Sequence, residues 1–202
     1  MLSGGGALGI AHLNVIRELQ ENNYHPKEIL GTSMGAILGA CYALSYSDSD
    51  IHHFIKEFSS ILKWGKISFS HSSLLSTDKI KNLFTQLYGD KVIADANTTL
   101  KIVATDFNTG QAKVFDSSSG LLIKDAVLAS MAIPGIFPPV MINDNYYVDG
   151  FISSNLPVEF AQYKKIVASN VLGRNSFKNF EEKDYQFFGH TKAVLGMLER
   201  SV

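Results

Sequence analysis

The 202-residue chain carries 18 Lys and Arg against 19 Asp and Glu, a formal net charge of −1, and 46% of its residues are apolar. At roughly 100–200 residues per domain this reads as one globular domain over residues 1–202, with material for a sizeable core. Near-neutrality excludes the basic stripe that phosphate-backbone binding needs, so no nucleic acid partner is expected. A single cysteine, Cys41, excludes an intrachain disulfide and a thiolate metal cluster, which suits a reducing, cytoplasmic setting. No basic segment followed by an apolar one opens the chain as in a secretory signal. A long uncharged stretch, residues 126–142, contains Pro134, Pro138 and Pro139 and cannot form a continuous membrane-spanning helix.

In chain order, Ile10, Leu13, Ile16 and Leu19 predict an amphipathic helix over residues 10–22, directly after a glycine run. Pro26 separates it from a short strand, residues 28–30. Gly31 to Gly35 then make a tight turn into a helix over residues 36–44, whose small residues Ala36, Gly39, Ala40 and Ala43 suit close packing on a sheet. Ile51, Phe54, Ile55, Phe58, Ile61 and Leu62 keep the spacing of a core-facing helix, behind the caps Ser47 and Asp48. Ile80, Leu83, Phe84, Leu87 and Tyr88 repeat it between the caps Ser76 and Thr77 and a stop at Gly89. The stretch between these helices, residues 64–75, reads as an irregular cover with apolar residues set among serines. Strands follow at residues 100–105 and 112–115, a helix at 121–132, and a hairpin at 140–148 ending on Asp149-Gly150. A strand at 165–171 and a last helix near 190–199 complete an α/β chain whose sheet is expected to be largely parallel.

Three motifs carry chemistry. Gly31-Thr32-Ser33-Met34-Gly35 satisfies GxSxG between a predicted strand and a predicted helix, the context that makes this short pattern informative. A sharp strand-to-helix turn exposes the central hydroxyl at the helix N-terminus, where the helix dipole favours developing negative charge. Ser3-Gly4-Gly5-Gly6-Ala7-Leu8-Gly9 leaves backbone N–H groups unobstructed at the start of a helix, as an oxyanion or anion site requires. Gly4, Gly6 and Gly9 also satisfy the dinucleotide pattern GxGxxG. That reading needs a preceding strand and an acidic residue ending the next one, and the next strand runs into GTSMG instead. Asp149, at a strand end in YVDG, supplies a carboxylate in a chain order compatible with one site.

Together with Ala129-Ser130-Met131-Ala132-Ile133-Pro134-Gly135-Ile136-Phe137-Pro138-Pro139 and Asn155-Leu156-Pro157, these motifs closely resemble those of the patatin-like phospholipases. The resemblance extends over nearly the whole chain. It implies a three-layer α/β sandwich with a mainly parallel central sheet and helices on both faces. It also implies a serine acyl hydrolase of the phospholipase A or lysophospholipase kind, cleaving lipid acyl esters through an acyl-enzyme. In that reading Ser33 attacks, Asp149 is the base, and the amides of Gly4, Gly5 and Gly6 hold the oxyanion. No cofactor, metal or histidine is required, and transient contact with a membrane surface is the expected mode of meeting substrate. The competing readings are an inactive or lipid-binding member of the same fold and, more remotely, a dinucleotide-binding protein.

The chain departs from the family pattern at three places. Only Met1 and Leu2 precede the glycine loop where the family has a full strand, Leu8 stands where Lys or Arg is usual, and Phe151 replaces a second glycine after Asp-Gly. The second departure predicts little discrimination between phospholipids and neutral esters. Elsewhere, His52 and His53 read as solvent-facing, His12 as structural, and Asp106 as a turn residue in DFNTG. His190, the one histidine after Asp149, alone supplies a Ser…Asp…His order.

Overall fold

The computed structural model describes residues 1–65 and 73–172. A 3-10 turn, Gly6–Ala11, leads from the glycine run into helix α1 (His12–Glu21). Strand β1 (Glu28–Thr32) passes through Ser33 into α2 (Met34–Ala43), and α3 (Asp48–Gly65) and α4 (Ser73–Tyr88) follow. The rest of the sheet comes from β2 (Thr99–Asp106), β3 (Ala112–Phe115), β4 (Val140–Ile142) and β5 (Asn145–Asp149), with α5 (Ile123–Ser130) between β3 and β4.

The helical patterns in the sequence translate directly into packing. Every residue of α2 except Tyr42 is buried, because this helix lies on β1 and β2 and is itself covered. A helix that is apolar all round belongs inside. α5 packs beside it on β2, β4 and β5; α4 lies on α5, and α3 on α4. Phe54, Phe58 and Phe84 stack between α3 and α4 with centroids 5.5 to 6.2 Å apart. α4 begins at Ser73, ahead of the caps expected at Ser76 and Thr77, so the end of the expected cover is helical. Residues 66–72 of that cover lie outside the described residues, as do His190 and the helix expected around it.

The α/β class stands, but the pairing within the sheet is mixed rather than mainly parallel. β1 runs parallel to β2, whereas β3 and β5 pair antiparallel with β2 and β4 antiparallel with β5. The reason is the length of the connections. Helices join β1 to β2, but β4 turns into β5 through Asn143-Asp144, both at positive φ (48° and 62°), the two-residue turn of a tight hairpin. β2 turns into β3 through a loop in which the Asp106 carboxylate accepts the N–H groups of Asn108 and Thr109. One face of the sheet buries Ile29, Leu100, Ile102 and Ala104 against the helices. Among the described residues the other face is closed by residues 150–163, which form 3-10 turns at Gly150–Ile152 and Val158–Phe160 rather than an α-helical layer. The strand expected at residues 165–171 shortens to one bridge, Leu2 with Ser169. Leu2 is also bridged to Gly31, so the short first strand is seated in the sheet.

Two glycines of α2 meet this sheet differently. A Cβ on Gly35 would lie 2.2 Å from the Leu2 carbonyl oxygen, whereas one on Gly39 would meet only side-chain atoms, at 3.0 Å or more. Gly35→Ala should therefore lower Tm by about 5 °C or more, through overpacking of about 1–3 kcal/mol against backbone that cannot yield. Gly39→Ala should melt within about 2 °C of wild type, the strain offset by the roughly 1 kcal/mol that alanine gains over glycine within a helix. Thermal melts of the two variants check this contrast.

Candidate active site

The site arises where two strands run toward each other along one edge of β2. Ile102 and Val103 pair with β1 and β3 at once, and Ala104 and Thr105 with β3 and β5. A strand has only two edges. β3 therefore holds one, and β1 and β5 share the other, approaching from opposite directions. β1 ends with Thr32 opposite Val103, and β5 ends with Asp149 opposite Ala104. The residue that follows Thr32 is Ser33. The abutment is tight: a Cβ on Gly150 would lie 2.2 Å from the Val103 carbonyl oxygen and 3.0 Å from Thr32 Cγ2.

Ser33 sits at the turn with φ 54° and ψ −121°, a conformation that costs about 1–3 kcal/mol for a residue with a side chain. Its N–H donates to Ser130 Oγ at 2.9 Å, and that hydroxyl donates to the Val103 carbonyl at 2.6 Å. α5 thus ties the turn to β2. Ser33 Oγ donates to Asp149 Oδ2 at 2.7 Å, while Asp149 Oδ1 accepts the Phe151 N–H at 2.8 Å. The backbone of Asp149 is held too, its N–H by Ala132 O and its carbonyl by Thr105 Oγ1. Both residues are buried, Asp149 at 2% exposure. Burial pushes the Asp149 carboxyl up to about 7, against the lowering effect of its bonds from Phe151 and Ser33. The outcome is a carboxylate aimed at a serine hydroxyl and basic enough to share its proton.

The glycine loop lies against this pair. A Cβ on Gly4 would come within 3.2 Å of Ser33 Cβ. The three expected oxyanion donors are not equivalent. The Gly4 N–H donates to Asn155 O at 3.2 Å, whereas Gly5 and Gly6, at φ 153° and 53°, open the 3-10 turn where N–H groups lack intrahelical acceptors. Asn155 also brings a buried side-chain oxygen, Oδ1, to within 2.8 Å of where a Gly4 Cβ would stand.

Behind the loop, His12 is fully buried. Its Nε2 lies 2.8 Å from the Ser3 carbonyl and its Nδ1 2.8 Å from Ser169 Oγ. A carbonyl only accepts, so Nε2 carries the proton and Nδ1 accepts from the hydroxyl. Burial lowers the His12 pKa, keeping the ring neutral as this arrangement requires. His12 therefore anchors the loop and is not part of the Ser33–Asp149 pair. Nothing in its spacing announced that role; the partner Ser169 is 157 residues away. Ser130 was legible only as part of a motif. His52 and His53 are exposed, and Asp106 is a turn residue as expected. Leu8 is 60% exposed and so stands in solvent at the end of the loop. Among the described residues no cluster of three or more metal-ligating side chains exists.

The sequence model of the patatin-like phospholipases matches residues 1–161. An uncharacterised NTE family protein of Mycobacterium tuberculosis is 32% identical over 159 residues, covering 78% of this chain and 43% of its own length. The lysophospholipase NTE1 of Kluyveromyces lactis is 29% identical over 163 residues, again 78% of this chain but 11% of its own. The chain thus spans less than half the length of these curated relatives. Among solved structures, VipD from Legionella pneumophila superposes with a TM-score of 0.56 at 16% identity, over 96% of this chain and 52% of that one, a likeness of fold.

The raised carboxyl has a consequence for stability. An unfolded aspartate loses its proton near pH 4 and the folded one near pH 7, so between these the unfolded chain binds fewer protons and stability falls as pH rises. Asp149→Asn, which cannot ionise, should melt above wild type at pH 8, with the difference shrinking steadily toward pH 5. Paired melts across that range are the check, and a difference independent of pH contradicts the shift.

Proposed function

The chain belongs to the patatin-like phospholipase family, and from that premise we propose that it hydrolyses the acyl esters of lipids, lysophospholipids among them, with Ser33 as nucleophile and Asp149 as the single base. The observation that carries this reading is the 2.7 Å bond from Ser33 Oγ to Asp149 Oδ2 in a buried pair that no described histidine joins. Ser33 Oγ attacks the ester carbonyl carbon as its proton passes to Asp149 Oδ2. The carbonyl oxygen becomes an oxyanion held by the amides of Gly5 and Gly6, Gly4 serving to shape the loop through Asn155. Collapse breaks the ester bond, the alcohol leaves with the proton from Asp149, and an acyl-Ser33 remains. Water then attacks the acyl carbon with Asp149 again as base, releasing the fatty acid and restoring Ser33.

A carboxylate with pKa of about 7 removes a hydroxyl proton more readily than an ordinary one. Its fixed Oδ1 keeps the other oxygen facing the nucleophile. The relatives' names support the substrate class, since one of them is a lysophospholipase. An inactive, lipid-binding role is the reading this proposal displaces, and one experiment separates the two. Hydrolysis of lysophosphatidylcholine and of a nitrophenyl acyl ester by the intact chain should fall by several orders of magnitude in Ser33→Ala and nearly as far in Asp149→Asn. Both variants should melt cooperatively. Absence of turnover in the wild type, or unchanged turnover in well-folded Ser33→Ala, contradicts the proposal.

Headgroup preference follows from Leu8. A leucine at an exposed position beside the loop gives no charge-assisted bond to a phosphate. Leu8→Arg should raise the phospholipid-to-neutral-ester ratio of kcat/KM by no more than about fivefold, because one exposed charge contact contributes about 0.2–1 kcal/mol. Measuring both substrates with wild type and variant checks it.

A further inference from the structure

Acyl transfer at Ser33 needs the Gly5 and Gly6 N–H groups to face the oxyanion, yet neither glycine has a side chain to fix the plane of its peptide. Each of these peptides is planar and trans, so its C=O and N–H point in opposite directions. Whatever holds a carbonyl therefore aims the amide of the next residue. The peptide joining Gly5 to Gly6 is held by the turn itself, since the Gly5 carbonyl accepts the Leu8 N–H at 3.1 Å. The peptide joining Gly4 to Gly5 is held by a side chain instead, with Ser3 Oγ donating to the Gly4 carbonyl at 2.9 Å.

Ser3 is fully buried and held through each of its polar groups. Its N–H donates to Ser169 O at 3.0 Å, and its carbonyl accepts the His12 Nε2–H at 2.8 Å. Its hydroxyl oxygen accepts the Val171 N–H at 3.2 Å, which leaves the O–H for the Gly4 carbonyl. The peptide joining Ser3 to Gly4 is closed to substrate, because the Gly4 N–H is already bonded to Asn155 O. Among the described residues no carbonyl accepts the Gly5 N–H, so it is the first amide of the loop left for an oxyanion. Gly4 places it beside the nucleophile, a Cβ there standing 3.2 Å from Ser33 Cβ.

A peptide between two glycines meets little steric resistance to turning over, because neither residue carries a Cβ. In the turned orientation the Gly4 carbonyl oxygen would take the place of the Gly5 N–H and repel the charge that develops at the acyl oxygen. We propose that the Ser3 hydroxyl is a positioning residue for the reaction: it pins the Gly4 carbonyl behind the loop, prevents this peptide from turning over, and so aims the Gly5 N–H at the oxyanion. This role rests on the hydrolase reading of Ser33 and Asp149. A hydroxyl that only satisfies a buried carbonyl stabilises the fold, with no preference among bound states. One that aims an amide stabilises the oxyanion more than the bound ester, and its loss appears in kcat rather than KM.

The test uses the whole chain, lysophosphatidylcholine as substrate and a dodecyl trifluoromethyl ketone as probe. Ser33 Oγ bonds to the ketone carbon, its proton passes to Asp149, and the ketone oxygen takes the negative charge; the matching trifluoromethyl carbinol has no carbonyl to attack. Ser3→Ala should lower kcat by about 10- to 100-fold with KM within about twofold, a loss at or below that of removing an oxyanion donor outright. It should weaken the ketone by about tenfold or more and the carbinol by less than about twofold, and leave the pH midpoint of Ser33 phosphonylation where it is in the wild type. Ser3→Thr, which keeps the hydroxyl, should recover kcat to within about threefold. Should Ser3→Ala not melt cooperatively, Ser3→Cys, similar in size and a much weaker donor, carries the same comparison. Wild-type kcat in the folded variant, equal weakening of ketone and carbinol, a moved midpoint, or a folded Ser3→Thr as slow as Ser3→Ala overturns the role of Ser3 alone. Absence of turnover in the wild type, or undiminished turnover in Ser33→Ala, overturns the hydrolase reading and this role with it.

Discussion

The meeting of β1 and β5 along one edge of β2 is the constraint from which the rest of this protein follows. Two strands arriving head-on must both leave the sheet at the junction. β1 leaves by the strained turn at Ser33, and β5 by the 3-10 turn that starts at Gly150. The next side chains, a serine and an aspartate, are thereby pressed together beneath the glycine loop. Neither strand alone makes a site. Their shared partner does, with Ser130 bonded both to the Ser33 N–H and to the Val103 carbonyl on the edge of β2.

Energetically, the junction runs against stability. The shift of the Asp149 carboxyl from 3.8 to about 7 corresponds to roughly 4 kcal/mol disfavouring its ionised form at about 1.4 kcal/mol per unit. That shift is already net of the hydrogen bonds from Phe151 and Ser33, which favour the ionised form, so burial decides the direction. The strained turn adds about 1–3 kcal/mol more. These costs are carried by the packing around α2, where every residue but one is buried, and by backbone contacts so close that Gly31, Gly35 and Gly150 admit no side chain. His12 extends the same logic to the loop, fixing Ser3 from behind with a neutral ring.

Much of this was legible in the residues, and the exceptions have physical reasons. The elbow at Gly31 to Gly35, the helices with apolar faces, the Asn143-Asp144 hairpin and the Asp106 turn depend on neighbours within a few residues, so their patterns announce them. The pairing of Ser33 with Asp149 follows from strand register, which spacing does not encode; the family resemblance implied it and the geometry places the two in hydrogen-bond contact. The mixed sheet departs from expectation because short turns, rather than crossover helices, join β2 to β3 and β4 to β5. The inequality among Gly4, Gly5 and Gly6 depends on a carbonyl at Asn155, and the anchoring of His12 on a hydroxyl at Ser169. Neither contact leaves a local trace.

The central claim is that a single buried carboxylate activates Ser33, and the pH dependence of Ser33 phosphonylation by a fluorophosphonate tests it most directly, because that step needs no lipid substrate and no deacylation. The account predicts a labelling rate that climbs through a midpoint near pH 7 as Asp149 ionises, levels off above it, and collapses in Asp149→Asn at every pH. A midpoint near pH 4, or full labelling of folded Asp149→Asn, would contradict it.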